Sequence, residues 1–199
     1  YAAPSLGISK NNLVPGDLMF VDYNADGIVD VQDQVVMENQ LYPRMIYGFN
    51  LGGSYKNFSL QARFYGVSEI GRVRGDRLTF DFLDGEIMAH PDVVTRWTPE
   101  TAATAQKPSL HLGSNILHNN SISTFNYTKG DYLRLKSVEL SYTIKEDLEA
   151  FGVDRLQIYT NGNNLYTWTK SNSGTDPEAF DGAAYPVVKR YNVGFRLTF

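Results

Sequence analysis

Residues 47–64, YGFNLGGSYKNFSLQARF, hold two runs of alternating side chains with a turn between them. In both runs the apolar side chains fall at every second position, and Lys56-Asn57 reads as a tight turn. A period of two marks a β-strand with one apolar and one polar face. The stretch therefore predicts an antiparallel β-hairpin. Its apolar set is Tyr47, Phe49, Leu51, Tyr55, Phe58, Leu60, Ala62 and Phe64.

Three further stretches show the same alternation, namely Asp131–Ile144, Asp154–Thr169 and Val187–Phe199. In the first, the apolar positions change from odd to even, which a β-bulge or an exit from the membrane near Lys136 would explain. The last is the longest uninterrupted alternation and predicts a strand of 13 residues. Lys145–Gly152 reads as one or two helical turns that end at the glycine. The sequence thus predicts an all-β chain with five strands.

Composition narrows the class of protein. The 199 residues are 42% hydrophobic and 20% charged, with a net charge of -4, so long disorder is excluded and nucleic acid is a poor partner. There is no cysteine, which excludes disulfides and thiolate metal sites. No apolar run is long enough for a transmembrane helix. The 13 Tyr and 11 Phe favour β-structure and are compatible with a membrane interface.

Loop lengths and side-chain character help to distinguish a transmembrane β-barrel from a soluble β-sandwich. Short connections, such as Lys56-Asn57, alternate with two long ones, about 67–129 and 170–185, which we predict to be extracellular. Alternation alone fits a soluble β-sandwich equally well. The aromatic residues near the strand ends and the arginine, glutamate and amide side chains between them favour a transmembrane barrel with a wet lumen.

A 12-residue motif predicts a calcium loop at residues 22–33, DYNADGIVDVQD. Oxygen-bearing side chains occupy loop positions 1, 3, 5, 9 and 12, and Gly27 occupies position 6, where the backbone must turn sharply. The last ligand is aspartate where an EF-hand has glutamate, and the preceding segment does not read as a helix. The alternative is an acidic loop that binds nothing. The expected ligands of one structural ion are Asp22, Asn24, Asp26, the carbonyl of Ile28, Asp30 and Asp33.

Catalytic patterns are weak. The three histidines lie in the long loop at spacings that suit no zinc site, and we expect them to be exposed to solvent. Acidic pairs in loops are expected to be solvated, and a basic cluster is expected to pack the loop or face the lumen. We predict no enzymatic activity. The histidines are His90, His111 and His118. The acidic pairs are Asp81/Asp84 and Asp176/Glu178, and the basic cluster is Arg72, Arg74 and Arg77.

Taken in order, several segments resemble the C-terminal end of the SusC/RagA-type TonB-dependent outer-membrane transporters. The resemblance covers residues 15–199. Its pieces are PGDLMFVDYNADGIVDVQDQ (15–34), YGFNLGGSYKNFSLQARFYG (47–66), TRWTPE (95–100), GDYLRLKSVELSYTI (130–144), LQIYTNGNNLYTWTK (156–170), DPEA (176–179) and a last strand that ends in Phe199. Each piece is weak by itself, whereas the ordered set is specific.

The resemblance implies a transmembrane barrel of about 22 strands in the outer membrane of a Gram-negative bacterium, of which these residues form the C-terminal segment. It implies import of oligosaccharides or peptides, energised through TonB and assisted by a SusD-like surface lipoprotein that acts as a lid. The plug and the TonB-contacting segment are expected outside these residues. Five strands cannot close a barrel, and Tyr1 is not a methionine, so we expect a piece of a longer protein.

Two other classes remain open at this point. A soluble, calcium-stabilised β-sandwich for carbohydrate binding or adhesion would use the same alternation and the same loop. A surface glycan hydrolase would need two converging carboxylates, and the sequence nominates none.

The barrel prediction assigns each face. Tyr47, Phe49, Leu51, Phe58, Leu60, Phe64, Val193, Phe195 and Leu197 should face lipid. Arg63, Glu139, Arg190 and Arg196 should face the lumen. Parts of the long loops should contact the lid or the substrate, with Trp97 and Trp168 as packing anchors, and Phe199 should anchor at the interface.

Overall fold

A computed structural model describes residues 13–73, 81–82, 89, 91–111, 116–119, 121, 123–145, 148, 152–171, 176–179, 185 and 187–199. The chain divides into two compact units. The first contains Tyr1–Glu38, Val73–Tyr127 and Phe180–Ala184, and the second contains Asn39–Arg72, Thr128–Ala179 and Tyr185–Phe199. Within the described residues, no helix is long and apolar enough to cross a membrane.

The described strands form two sheets, and every pairing in the larger one is antiparallel. The larger sheet has five strands in the order β1-β2-β5-β6-β7, and β3 pairs with β4 in a small ribbon. The bounds are β1 Met45–Tyr55, β2 Phe58–Ser68, β3 Gly71–Val73, β4 Tyr127–Lys129, β5 Tyr132–Ile144, β6 Arg155–Thr169 and β7 Arg190–Thr198. The prediction of an all-β chain built around five long antiparallel strands is confirmed.

Helical elements in the described residues are short and lie in the first unit. Three are 3-10 turns, Val31–Asp33, Pro91–Thr95 and Thr124–Asn126, and α1 spans Ile116–Asn119. The helical turns predicted over 145–152 fall largely outside the described residues. Gly152 has φ +69, and the N–H of Val153 donates to the Leu148 carbonyl at 3.3 Å.

The predicted turn is confirmed, and of the two explanations for the phase change of β5 the structure shows the β-bulge. Lys56 takes a left-handed φ of +52 between β1 and β2, which a two-residue hairpin turn requires. The β5–β6 register shifts between Leu135 and Ser137, so Lys136 has no partner position and the strand changes phase. This change of phase keeps six side chains of β5 on the apolar face, namely Leu133, Leu135, Val138, Leu140, Tyr142 and Ile144.

The last strand is shorter than predicted. Alternation in the sequence begins at Val187, yet pairing with β6 begins only at Arg190, opposite Asn163. Asn164 interrupts the ladder because its φ is +53 and its side-chain amide donates to the Val188 carbonyl at 3.2 Å. A side-chain hydrogen bond has replaced the backbone pair that would have lengthened the strand.

A small hydrophobic core lies at one end of the large sheet. Val67, Ile70 and Tyr132 are buried there, and Tyr65 packs against them. Val67 and Tyr132 are register partners, so they share a face of the sheet. This end of the sheet carries the charged cluster described below.

Candidate functional site

The calcium-type loop has the backbone that its sequence predicts. Gly27 has φ +86, and Ala25 also has a positive φ, +60, so the chain turns sharply where loop position 6 requires it. Residues Val31–Asp33 form a 3-10 turn capped by Asp30, whose side chain accepts from the Gln32 N–H. The segment before the loop, residues 17–22, is not helical.

Side-chain oxygens of the loop bind backbone N–H groups of the same loop. Asp22 accepts from Asp26 at 3.2 Å and from Gly27 at 2.8 Å. Asp33 accepts from Tyr23 at 2.7 Å and from Asp30 at 2.8 Å. These bonds, led by the one from Asp30, hold the pKa of Asp33 below its usual value. These hydrogen bonds connect the two ends of the loop without the help of an ion.

The donor set suits a hard cation, since carboxylate, amide and carbonyl oxygens are what calcium prefers. The Oδ1 atoms of Asn24 and Asp26 accept from Asp26 and Ile28, at 3.0 and 2.8 Å. Within the described residues, however, no three acidic or histidine side chains converge closely enough to form a ready metal cluster. Calcium binding by the six predicted residues therefore stays a prediction.

The apolar face of the large sheet carries most of its aromatic residues in two bands, and Tyr191 of β7 lies between them, level with Ala62. One band is a row of register partners that crosses all five strands and includes Phe58 of β2. The other band includes Phe64, six residues further along the same strand. At about 3.4 Å per residue these two rings lie roughly 20 Å apart along the strand. On β2, Leu60 and Ala62 lie between them on the same face. The first row is Tyr55, Phe58, Tyr142, Ile158 and Phe195, and the second band contains Phe49, Phe64, Tyr166 and Trp168.

This apolar face is exposed. Leu51 is 59%, Leu60 49% and Phe195 69% accessible. A soluble sandwich would bury such a face under a second sheet, and within the described residues nothing covers it to that extent. Rings within the second band touch each other, with Phe49 stacked on Phe64 at 4.7 Å and Tyr166 edge-on to Trp168 at 4.7 Å between centroids. Trp168 is therefore an exposed member of this band.

The opposite face is polar, as predicted. Arg63, Glu139, Arg190 and Arg196 all lie on it, in register with serine, asparagine and glutamine side chains. Arg196 donates to Gln157 at 3.0 Å, lies 3.6 Å from Glu139, and stacks over the Tyr159 ring at 4.5 Å. The two faces of the sheet thus differ in the way the sequence alternation requires.

A buried ion cluster covers one end of the polar face, and the sequence did not predict it. Arg134 on β5 is 1% exposed, and its guanidinium contacts Asp176 at 2.5 Å and Glu178 at 3.0 Å. The expectation that this acidic pair is solvated is wrong, because both carboxylates neutralise a buried cation. Of the predicted basic cluster, Arg72 donates to the Pro177 carbonyl at 2.8 Å, while Arg74 and Arg77 lie outside the described residues.

The first unit is organised around Asp17. One carboxylate oxygen accepts from Ser109 at 2.6 Å and Asn119 at 2.9 Å, and also contacts His111. Burial raises the pKa of Asp17, but hydrogen bonds from Ser109, the Val14 N–H, His111 and Asn119 outweigh it, so the net pKa is lowered. Ser109 and Asp17 both contact the same imidazole nitrogen, Nε2, which is not the arrangement of a Ser-His-Asp triad.

The prediction of solvent-exposed histidines is wrong for two of the three. His118 is 3% exposed, and its Nε2 donates to the Leu18 carbonyl at 2.7 Å. The His111 side chain is 9% exposed beside Asp17. His90 lies outside the described residues. Of the acidic pair Asp81/Asp84, Asp84 also lies outside them, whereas the Asp81 side chain is 5% exposed and pairs with Lys107 at 2.9 Å, so it is not solvated as expected. Both described histidines hold loops together, which spacing alone could not reveal.

Trp97 is a packing anchor, as predicted. Gly16 lies directly under its indole ring, so closely that a Cβ atom there would be 2.4 Å from the ring. The Gly16 carbonyl accepts from the Ser109 N–H at 2.8 Å. The PGD and TRWTPE motifs therefore meet in the first unit.

The sequence is similar to that of a TonB-dependent receptor. The chain is 28% identical over 202 residues to the TonB-dependent receptor P26 of Formosa agariphila, covering 94% of this chain and 20% of that receptor. No family model matches the chain.

Three solved structures of the RagAB system are similar, each at 27% identity. The RagAB peptide transporter gives a TM-score of 0.68, covering 85% of this chain and 19% of the matched one. The closed-closed state of the RagAB peptide importer gives 0.66 over 94% and 21%, and the open-open state gives 0.65 over 82% and 18%.

The chain spans about a fifth of the length of the relatives it matches. The TM-scores of 0.65 to 0.68 show that the fold of the chain is similar to that of the matched part of the RagAB structures. We conclude that this chain is similar to the C-terminal part of the SusC/RagA-type TonB-dependent outer-membrane transporters.

Proposed function

We propose that the chain is one segment of the wall of an outer-membrane nutrient importer in a Gram-negative bacterium. The observation that carries this proposal is the two-faced sheet, whose apolar face is exposed and bears aromatic rings in two bands. Strands tilted by about 40° would place Phe58 and Phe64 roughly 16 Å apart in height, within an apolar belt about 25 Å tall. The apolar face then meets lipid, and the polar face lines the lumen.

The finer parts of the proposal rest on similarity. The importer takes up oligosaccharides or peptides, is energised through TonB, and works with a SusD-like surface lipoprotein as its lid. The RagAB relatives are described as a peptide importer, which supports peptides as one substrate class. The remaining barrel strands and the plug belong to the rest of the protein. No residue of the described sheet is assigned a catalytic role.

The test uses the full-length protein in its native host. Membrane fractionation should find it in the outer membrane, folded and resistant to unfolding in cold detergent. Deletion of the gene should abolish growth on the imported nutrient, screened with defined peptides and oligosaccharides as sole sources. Recovery of the protein in the soluble fraction would refute the barrel proposal. Unchanged growth on every nutrient tested would refute the import proposal.

We also propose that the loop at residues 22–33 binds one structural calcium ion through the six predicted ligands. Hydrogen bonds already tie Asp33 to the start of the loop, so an ion would add to a loop that is partly organised. Its role would be to fix this exposed segment rather than to take part in transport.

Calcium binding can be measured on the purified full-length protein by calorimetry, with calcium chloride as the probe. Asp26→Ala should abolish one binding event. Asp154→Asn, which removes a carboxylate outside the loop, should leave it unchanged. Equal calcium stoichiometry in the wild type and Asp26→Ala would refute this site.

A further inference from the structure

The segment Asp176–Ala179 is held against the sheet by a buried arginine. Arg134 binds both of its carboxylates, Asp176 at 2.5 Å and Glu178 at 3.0 Å, and the guanidinium is 1% exposed. We propose that Arg134 is a positioning residue, which fixes this segment on the polar face of the sheet as a constriction of the import path. The proposal rests on the proposed function, because that function assigns the polar face to the lumen.

The register of the sheet shows which face the segment covers. Arg134 pairs with Tyr65 on β2 and Thr167 on β6, and it alternates with Leu135. Leu135 pairs with Phe64 and belongs to the apolar face. The segment that binds Arg134 therefore lies on the opposite, polar side. It is folded inward over the sheet and does not extend away from it.

Several contacts converge on Glu178. Besides Arg134, its carboxylate accepts from the Tyr132 hydroxyl at 3.0 Å and lies 3.5 Å from the Lys136 ammonium. Its own N–H donates to Asp176 at 2.9 Å, so the two acidic residues are held in one geometry. Lys136 is the bulged residue of β5, and the bulge gives it a place in this cluster.

A second arginine holds the residue between the two acids. Arg72 on β3 donates to the Pro177 carbonyl at 2.8 Å, and Pro177 is buried. Three successive residues of the segment are thus bound to two different strands. Proline also restricts the backbone at that point, which lowers the entropy lost on ordering the segment.

The charges explain why the segment should stay in place. A guanidinium that is 1% exposed is costly to bury unless carboxylates neutralise it, so releasing the segment would leave Arg134 uncompensated. The segment and the arginine are therefore coupled. Removing the arginine should free the segment, and removing both acids should have the same effect on it.

The experiment exploits the absence of cysteine in this chain. Any cysteine elsewhere in the full-length protein is first replaced by serine. Ala179→Cys, at a half-buried position, is then labelled with a membrane-impermeant maleimide in purified full-length protein and in intact cells. With Arg134→Met the labelling rate should rise at least 10-fold. With Arg63→Met, an arginine on the same face that bonds only Asn50 among the described contacts, it should change less than 2-fold.

Two further variants separate positioning from general stability. Arg134→Lys should not restore slow labelling, because one ammonium cannot reproduce the planar guanidinium that bridges both acids. The double variant Asp176→Asn/Glu178→Gln keeps Arg134 and should also label at least 10-fold faster. If Arg134→Met fails to insert, this double variant decides the question. Unchanged labelling in a properly inserted variant would overturn the proposal.

Import is measured separately with a defined fluorescent peptide mixture as the probe. A fixed constriction predicts that the variants change the size preference for imported peptides while the amount of protein in the outer membrane stays the same. An unchanged size preference despite faster labelling would overturn the constriction. Absence of the wild-type protein from the outer membrane would refute the proposed function itself, whereas the labelling of purified protein would still report on the Arg134 contact.

Discussion

Two neighbouring residues of β2 test the lipid-facing surface by a matched pair of substitutions. Leu60 lies on the apolar face between Phe58 and Phe64 and is 49% exposed, and Gln61 lies on the polar face opposite Glu139. Both are substituted by arginine. The added side chain, the strand and the depth are then the same, and only the face differs.

The expected magnitudes follow from the position of each residue. Leu60 is two residues from Phe58 and four from Phe64, which places it in the middle part of the apolar belt. A charge there costs about 2–4 kcal/mol, which is roughly a 30- to 900-fold shift in the folding equilibrium. Arginine at Gln61 can pair with Glu139 in water-filled surroundings, so its effect should stay below about 1 kcal/mol.

The assay measures the folded, heat-modifiable protein in the outer membrane, together with urea unfolding of the refolded protein in lipid vesicles. Leu60→Arg should lower both, and Gln61→Arg should leave both near the wild-type values. Equal losses in the two variants, or a greater loss for Gln61→Arg, would refute the assignment of the faces.

Three other predictions concern single positions. Gly16→Ala should destabilise the first unit by about 2 kcal/mol or more, because it adds a Cβ atom 2.4 Å from the Trp97 ring at a residue whose φ is +94. Hydrogen exchange at the Ser109 amide should become faster, and an unchanged exchange rate would contradict this prediction. Because the pKa of Asp17 is lowered from its ordinary value of 3.8, its carboxylate contributes stability above that pH, and this stability is lost as the pH falls through the folded-state pKa. The protection factors of amides in the same segment, which correct for the intrinsic slowing of exchange in acid, should therefore fall in acid for the wild type and depend less on pH in Asp17→Asn; the same pH dependence in both proteins would contradict this. Arg196→Met should cost less than about 1 kcal/mol, because the side chain is 56% exposed; a loss above 2 kcal/mol on urea unfolding would contradict this.

The sequence predicted the strands because their information is local. A period of two, a Lys56-Asn57 turn and a phase change at Lys136 each depend on residues close in sequence, and all three are confirmed. The start of β7 was wrong because Asn164, 24 positions before Val188, supplies a side-chain bond that alternation does not encode.

The clusters could not be predicted because their members are far apart in sequence. Arg134 and Asp176 are separated by 42 positions, and Asp17 and His111 by 94. A buried arginine among Tyr132, Leu133 and Leu135 looks like any polar-face residue in an alternating strand. Its ion pairs depend on where the DPEA segment folds, which neither composition nor spacing specifies.

If the sheet is part of a barrel wall, one of its faces meets lipid and the other meets water. Single nitroxide labels at each cysteine-substituted position from Phe58 to Phe64, in full-length protein reconstituted in vesicles, measure this directly through collision with oxygen and with a water-soluble nickel complex. We expect accessibility to oxygen to peak at the even positions and accessibility to nickel at the odd ones, with a period of two. High accessibility to nickel at Phe58, Leu60, Ala62 and Phe64, or no alternation at all, would contradict it.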